Sequence, residues 1–329
     1  MKFLFFTMVL LSSSFAMAQK ADVLLSREDV IWGFDFLPDK RIIFTERSGK
    51  ILTFDPKNKK TEEIQNVPKV YAVGQGGMLD IRVHPKNGYI YFTYSEPDGD
   101  LSATALARAK LVGNKFENFQ KIFTAGKSDN DYHYGSRIEF APEGKLFITS
   151  GERGERKLVQ KQDNYFGKII RMNEDGSSPE VWSYGIRSPQ GLAMRPGTND
   201  LWEAEMGPRG GDEVNLIKKG ANYGWPEVTY GREYVGLPIG VKERKDVVEP
   251  VVYWVPSISP SAMTFWKGDI YLANLSGEHI RRLQLDGNKV VKQEELLKKL
   301  EWRFRNVRPG PDNELYFSTD EGRIGKLVP

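Results

Sequence analysis

The sequence predicts an all-β fold, a six-bladed β-propeller, and three observations lead to it. A turn-and-strand unit recurs six times along the 329 residues. Turn formers and strand formers are both plentiful, with 32 Gly, 18 Pro and 12% aromatic residues. No long amphipathic helix interrupts the pattern, and residues 293–300 offer one short helical turn at most.

The chain begins Met1-Lys2-Phe3-Leu4-Phe5-Phe6 and runs apolar to Leu11, ending in Ala16-Met17-Ala18 before the polar Gln19. One charge, a short apolar stretch and small residues make a secretory leader at residues 1–18. It is too short for a spanning helix, and no other stretch is long enough. The expectation is cleavage after Ala18 and a soluble, periplasmic or secreted chain in which residues 19–329 form a single propeller domain. The chain holds no cysteine, so its stability must come from its core, from bound metal, or from both. Loss of Lys2 leaves 46 basic and 44 acidic residues. That near balance gives no basic stripe for a nucleic-acid partner.

The repeated unit is a tight turn, led by Pro in five of its six instances, then a charged residue and a strand of aliphatic and aromatic residues. It occurs at Pro38-Asp39-Lys40-Arg41-Ile42-Ile43-Phe44-Thr45, at Pro85-Lys86-Asn87-Gly88-Tyr89-Ile90, and at Pro142-Glu143-Gly144-Lys145-Leu146-Phe147. It returns at Pro196-Gly197-Thr198-Asn199-Asp200-Leu201-Trp202, at Lys267-Gly268-Asp269-Ile270-Tyr271, and at Pro311-Asp312-Asn313-Glu314-Leu315-Tyr316. Each is a tight turn delivering a strand. Spacings of roughly 45 to 70 residues match propeller blades with loop insertions. A β-sandwich would not repeat the strand context after each turn. In a propeller, loops from several blades meet at one end of the axis, so residues scattered in sequence can build one site.

Three histidines are present. His84, before a Pro turn, reads as a solvated turn residue, and His279, entering a strand, as structural. His133, in Asp131-Tyr132-His133-Tyr134-Gly135-Ser136-Arg137, stands at a loop-to-strand edge followed by small residues. It can project into the channel as a general base. Gln75 sits among Gly74, Gly76 and Gly77, where glycine admits close approach of a flat ligand; the plain alternative is a flexible turn. Arg303 and Arg305 alternate along an extended segment and share one face. Two like charges there are unfavourable unless an anion joins them, although Arg308 leaves a solvated basic strand as the alternative. The segment from Arg187-Ser188-Pro189-Gln190-Gly191 through Met206-Gly207-Pro208-Arg209-Gly210-Gly211-Asp212-Glu213 packs a cation, an amide, tight turns and an acidic pair into under thirty residues. The acidic pair alone would more often be solvated.

Taken in order, the motifs around Gln75, His133, Gln190, Glu213 and Arg303 closely resemble the core of the soluble PQQ-dependent sugar dehydrogenases, the glucose/sorbosone dehydrogenase family. The resemblance runs from about Trp32 to the C-terminus. It implies a quinoprotein with PQQ and Ca²⁺ as cofactors and an aldose as substrate, oxidised at the anomeric hydroxyl to a lactone. His133 matches the family's catalytic base. Gln75, Arg187, Arg303 and Arg305 match positions on the cofactor. Gly207 and Pro208 match carbonyl ligands of the Ca²⁺ beside it, and Glu213 with the carbonyls of Tyr223 and Tyr234 matches a second, structural Ca²⁺ site. Four positions depart from the pattern. Ser188 replaces a common Asn, Met206 a Gln or His, and Ser276 a Lys that some members place on the cofactor. Tyr132 stands where the glucose-specific branch has Asp. These bear on cofactor affinity and on glucose preference.

Other chemistries lack their fingerprints. No G-x-G-x-x-G opens a helix. Gly126-Lys127-Ser128 mimics the end of a P-loop, but Lys121 occupies the first glycine position. Neither H-E-x-x-H nor G-x-S-x-G occurs. A Ca²⁺-dependent propeller lactonase and a non-catalytic sugar- or partner-binding propeller are the competing classes. The electron acceptor and the oligomeric state are not encoded in any motif.

Overall fold

Six four-stranded antiparallel sheets stand around a central axis, as the six repeats predict. The computed structural model describes residues 20–328, so the leader expected at residues 1–18 lies outside the described residues. Five blades use four consecutive strands each. The sixth combines Phe304–Pro309, Leu315–Thr319 and Arg323–Val328 with the N-terminal strand Lys20–Ser26 as its outer edge. That strand pairs from Lys20↔Val328 to Ser26↔Arg323, so both ends of the chain close one sheet. Closure leaves the ring without a gap between first and last blades.

Every repeated turn lies at the same structural position, between the innermost and second strands of a blade. Each places a residue in the left-handed region: Lys40, Gly88, Gly144, Gly197, Gly268 and Asn313, with φ from 60° to 90°. That conformation is why Gly and Asn recur there. The second strands Ile42–Glu46, Leu201–Glu205 and Leu315–Thr319 are buried at every residue, because neighbouring blades cover both of their faces. Trp202, wholly buried, meets Phe265 of the next blade edge-on at 6.0 Å. Burying one such ring stabilises by about 2–3 kcal/mol. Outer strands such as Lys289–Leu296 are mostly polar and exposed.

The innermost strands are Ile31–Phe36, Met78–Val83, Gly135–Ala141, Pro189–Met194, Pro260–Trp266 and Phe304–Pro309. Each carries a bulge near its start: between Ile31 and Phe34, Met78 and Ile81, Gly135 and Ile138, Pro189 and Gly191, Pro260 and Ala262, and Phe304 and Asn306. A bulge leaves residues unpaired and bends the strand, here all at the same end of the axis. Hydroxyls from the repeated strands staple blade to blade. Thr45 donates to the Leu79 carbonyl at 2.6 Å, Thr93 to Ser136 at 2.8 Å, Thr149 to Pro189 at 3.0 Å and Ser318 to Ile31 at 2.8 Å.

Two local expectations need correcting or refining, and one short element is new. His84 is not a solvated turn residue. It is buried, its Nδ1 accepts the amides of Lys86 and Asn87 at 3.1 and 2.9 Å, and its Nε2 lies 3.0 Å from Glu174. The imidazole therefore builds the Pro85 turn and ties it to the third blade. Within residues 293–300, only Lys298–Leu300 is helical, as a single 3-10 turn, and Lys289–Leu296 is strand. A helical turn at Arg156–Val159, without apolar periodicity to announce it, lies in a loop of the third blade. Among the described residues no helix is long and apolar enough to cross a membrane.

Candidate active site

The loops that precede the innermost strands gather the chemistry-bearing residues at the bulged end of the axis. His133 has φ 54°, an unfavoured conformation for a non-glycine residue. Its amide donates to Gln75 Oε1 at 2.8 Å, and the Gln75 amide donates to the Asp131 carbonyl at 2.7 Å. With Oε1 engaged, the side-chain amide of Gln75 is left to donate to a ligand. Gly151 is required opposite: a Cβ there would stand 1.8 Å from the His133 carbonyl.

His133 Nδ1 lies 2.7 Å from Oε1 of Glu152, whose side chain is only 2% exposed. A buried carboxylate on Nδ1 selects the Nδ1–H tautomer and presents Nε2 as a base. Burial lowers the His133 pKa below its usual value, the Glu152 hydrogen bond opposes this, and the positive charge of Arg187 lowers it again. The net effect is a neutral imidazole at neutral pH. Glu152 Oε2 is buried without a partner. The Glu152 amide donates to the Arg187 carbonyl at 2.8 Å, so the third and fourth blades meet at this carboxylate.

Arg187 is buried. One terminal nitrogen donates to the carbonyls of Met206 at 2.9 Å and Gly207 at 3.0 Å, and its Nε has no partner. The Trp225 ring lies near two guanidiniums, Arg187 at 5.4 Å and Arg156 at 5.1 Å. Arg156 is held in turn by Glu233.

Arg303 and Arg305 do share one face, and the anion that joins them belongs to the protein. Asp320 accepts from Arg305 Nε at 2.7 Å and from its terminal nitrogen at 3.0 Å, and from Arg303 Nε at 3.0 Å. Burial pushes the Asp320 pKa up, but the two guanidiniums outweigh it and hold the carboxyl below its usual range. The trio keeps one net positive charge for a ligand.

A small cavity of about 10 Å³, room for one ion- or water-sized occupant, is enclosed by Arg187, Glu205, Gly207, Gly211, Glu213, Tyr223, Trp225, Val228 and Thr229. It brings Gly207, Glu213 and Tyr223 together. Pro208 packs against Gly231 nearby and does not line it, and Tyr234 is exposed, its carbonyl accepting from Arg209 at 3.3 Å. Glu205 and Glu213 are cross-strand partners. Burial raises both their pKa values, Glu205 to about 7, and the charge of Glu205 raises Glu213 further. Two buried carboxylates beside carbonyl-bearing residues fit a hard cation. Among the described residues no three His, Cys, Asp or Glu side chains are grouped to hold a metal, so a cation here would depend on backbone oxygens. For an anionic planar cofactor, the unpartnered Arg187 Nε, the free amide of Gln75 and the net charge around Asp320 make a fitting donor set.

The four departures fall around the same rim. The Tyr132 ring packs edge-on to His133 at 4.6 Å. Ser188 and Met206 join backbone to backbone at 3.0 Å. Ser276 Oγ pairs with Ser259 Oγ at 2.7 Å, a neutral contact where some members of the family place a cation. Sequence reasoning missed Glu152, Glu205, Asp320 and Thr229. Glu205 heads the segment 206–213 without being singled out, Asp320 reads as half of an acidic pair with Glu321, and only the fold shows which cation or imidazole Glu152, Glu205 and Asp320 each face.

Comparison with known proteins shows the family. The Glucose / Sorbosone dehydrogenase family model matches residues 28–328. A relative from Escherichia coli (strain K12), aldose sugar dehydrogenase YliI, is 35% identical over 94% of this chain and 92% of its own length. The crystal structure of the soluble aldose sugar dehydrogenase from Escherichia coli, in its apo form, superposes with a TM-score of 0.89 at 34% identity, over 94% of this chain and 99% of that one. The PQQ-bound aldose sugar dehydrogenase from Streptomyces coelicolor gives 0.82 at 27% identity, over 94% and 97%. With a family match spanning nearly the whole described chain, this protein belongs to the glucose/sorbosone dehydrogenase family.

Proposed function

We propose that this protein is an exported, PQQ- and Ca²⁺-dependent dehydrogenase that oxidises the anomeric hydroxyl of an aldose to the lactone. The oxidoreductase class follows from family membership. The observation that carries the finer reading is the His133–Glu152 pair, 2.7 Å apart, at a rim that also gathers Gln75 and Arg187. Nε2 of His133 takes the hydroxyl proton of the sugar while Glu152 keeps the ring oriented and balances the charge it gains. Bound PQQ supplies the two-electron acceptor, and Ca²⁺ supplies Lewis-acid polarisation. Gln75 donates its amide, and Arg187, Arg303 and Arg305 hold carboxylates by charge-assisted hydrogen bonds. Gly207 and Pro208 offer carbonyls near the cofactor, and Glu213 with Tyr223 lines the cation cavity.

A lactonase without a redox cofactor would need carboxylate or Asn ligands converging on the axis. The axis instead holds the Arg137 guanidinium, described below, which disfavours that chemistry. The test is dye reduction by apo-protein given PQQ and Ca²⁺, across several aldoses, with the dye standing in for the electron acceptor. Sugar-dependent reduction that disappears in His133→Ala is the expected result. An inactive wild type, or a fully active His133→Ala, overturns the reading.

A further inference from the structure

We propose that Arg137 is a positioning residue whose guanidinium, set on the propeller axis, fixes the spacing of the segments that carry His133, Gln75, Arg187 and Arg305. The inference rests on the functional reading above. Arg137 touches all five other blades. Its Cζ lies 4.1 Å from the centre of the Trp32 ring of the first blade. One terminal nitrogen donates to Asp80 Oδ1 of the second at 3.1 Å, and Nε donates to the Gln190 carbonyl of the fourth at 2.7 Å. The other terminal nitrogen donates to the carbonyls of Ser261 in the fifth at 2.5 Å and Arg305 in the sixth at 3.2 Å. Its own amide donates to Thr149 at 2.9 Å.

Every partner of the guanidinium is a residue that a bulge has removed from strand pairing. Trp32, Asp80, Gln190, Ser261 and Arg305 all fall within the register breaks of their strands, as does Arg137 itself. A carbonyl in a regular ladder would already be engaged. The six bulges therefore expose six residues to one point, and a planar fork with donors in fixed directions can engage several at once where an ammonium cannot. The geometry then reaches the site by short paths. His133 precedes Arg137 by four residues, and Arg187 precedes Gln190 by three. Gln75 precedes Asp80 by five, and Arg305 is held through its own carbonyl. Asp80 is the one carboxylate that Arg137 bonds, and its second oxygen accepts the Ile138 amide at 3.0 Å. Burial lowers the pKa of this guanidinium to about 10, which agrees with a cation kept out of water by the structure around it.

The test uses Arg137→Lys, which keeps the charge and the reach to Asp80 but not the fork. Two readouts are taken well below the melting temperature: PQQ affinity by absorbance titration with Ca²⁺, and the titration midpoint of His133 followed by NMR on the metal-free protein. The latter signal is one of three histidines and is assigned by its loss in His133→Gln. The variant is expected to bind PQQ at least tenfold more weakly, as an ångström-scale displacement of site groups implies. Its His133 midpoint should move upward by about half a pH unit as the loop loosens and water enters. Ser318→Ala, which removes a blade-to-blade staple that does not touch Arg137, serves as the control and should keep both properties. Equal losses in Ser318→Ala, or wild-type affinity and midpoint in Arg137→Lys, overturn the proposal. Should Arg137→Lys not fold, Asp80→Asn decides it: it weakens the bond that ties the Gln75 segment to the guanidinium, so PQQ should bind at least about threefold more weakly, and wild-type affinity overturns the proposal. A wild type that binds no PQQ defeats the functional reading, and the His133 titration then decides the role of Arg137 by itself.

Discussion

Glu152 places Oε1 2.7 Å from Nδ1 of His133 while its own amide holds the Arg187 carbonyl. One acidic residue thereby sets the tautomer of the base and links it to the principal cation of the site. Glu152→Gln keeps an acceptor near Nδ1 but removes the charge. Its kcat should fall by about 10- to 100-fold, the range for outer partners that orient an active imidazole. The sign of the pH effect is also set. Glu152 raises the His133 pKa against burial and Arg187, so removing its charge lowers that pKa further. The acid limb of kcat/KM, which reports conversion of His133 to its neutral form, should move to lower pH in the variant. A pH profile with an unmoved limb would show that this imidazole is not the titrating base.

Asp320 divides the two arginines energetically. The Arg305 side chain is 14% exposed and bidentate to Asp320, whereas that of Arg303 is 47% exposed and makes one bond. Charge-assisted bonds out of water are worth about 1.5–3 kcal/mol, and exposed ion pairs about 0.2–1 kcal/mol. Arg305→Ala should therefore weaken PQQ binding by about 10- to 100-fold, and Arg303→Ala by less than about fivefold. Equilibrium titration of both variants checks the order, and the reverse order would place the cofactor on the outer arginine.

The carboxylates of the small cavity make stability depend on pH and on calcium together. Burial raises the folded-state pKa of Glu205 from 4.5 to about 7, and that of Glu213 rises as well. Groups whose folded pKa is raised leave full stability below the unfolded pKa and lose it as pH climbs toward the folded one. In EDTA, the melting temperature should fall between about pH 4.5 and 7 from this source. A cation that neutralises the pair removes the loss, so added Ca²⁺ should raise the melting temperature more at pH 8 than at pH 5. Scanning calorimetry at both pH values, with Ca²⁺ and with EDTA, measures the difference. Glu213→Gln should shrink it, and an equal Ca²⁺ effect at both pH values would move the cation elsewhere.

The blades were legible because a tight turn leaves a local signature: each of the six turns holds a left-handed residue, which is Gly or Asn in five of them, and Pro leads five. The strand after each turn was legible from its run of aliphatic and aromatic residues, since blades cover it on both faces. The threonines in those strands, Thr45, Thr93 and Thr149, stood in plain view, but their bonds cross to the next blade and no local pattern states that. The same limit governs the site. His133 and the Arg303–Arg305 pair were readable from their neighbours. Asp320, which lies 15 and 17 residues away, was not. The expectation that an anion joins the two arginines was sound physically, and the structure supplies Asp320 first, with net charge left for a ligand. His84 read as solvated because a Pro turn is normally at the surface; Glu174, 90 residues distant, is what draws it inside.

The join between the two ends of the chain gives the last prediction. Lys20–Ser26 is the outer strand of the sixth blade, and Leu24 and Leu25 pack against the cluster that contains Phe34, Phe54 and Ile324. Removing residues 1–26 would bare the edge of Arg323–Val328 and take two half-buried leucines out of that cluster. Losing them should remove about 2–3 kcal/mol of apolar burial, in addition to the ladder bonds. At about 2–4 °C per kcal/mol for a chain of this size class, the melting temperature should drop by roughly 5–10 °C or more. The bared edge is also a template for pairing between copies, so the truncated protein should aggregate at concentrations where the full chain is monodisperse. Supplying a peptide of residues 20–26 in excess should restore part of the melting temperature, because only the native register puts Leu24 and Leu25 back on their cluster. Light scattering and thermal scans with and without the peptide measure both effects, and a truncated chain that melts with the intact one would mean that the first strand contributes nothing to closing the ring.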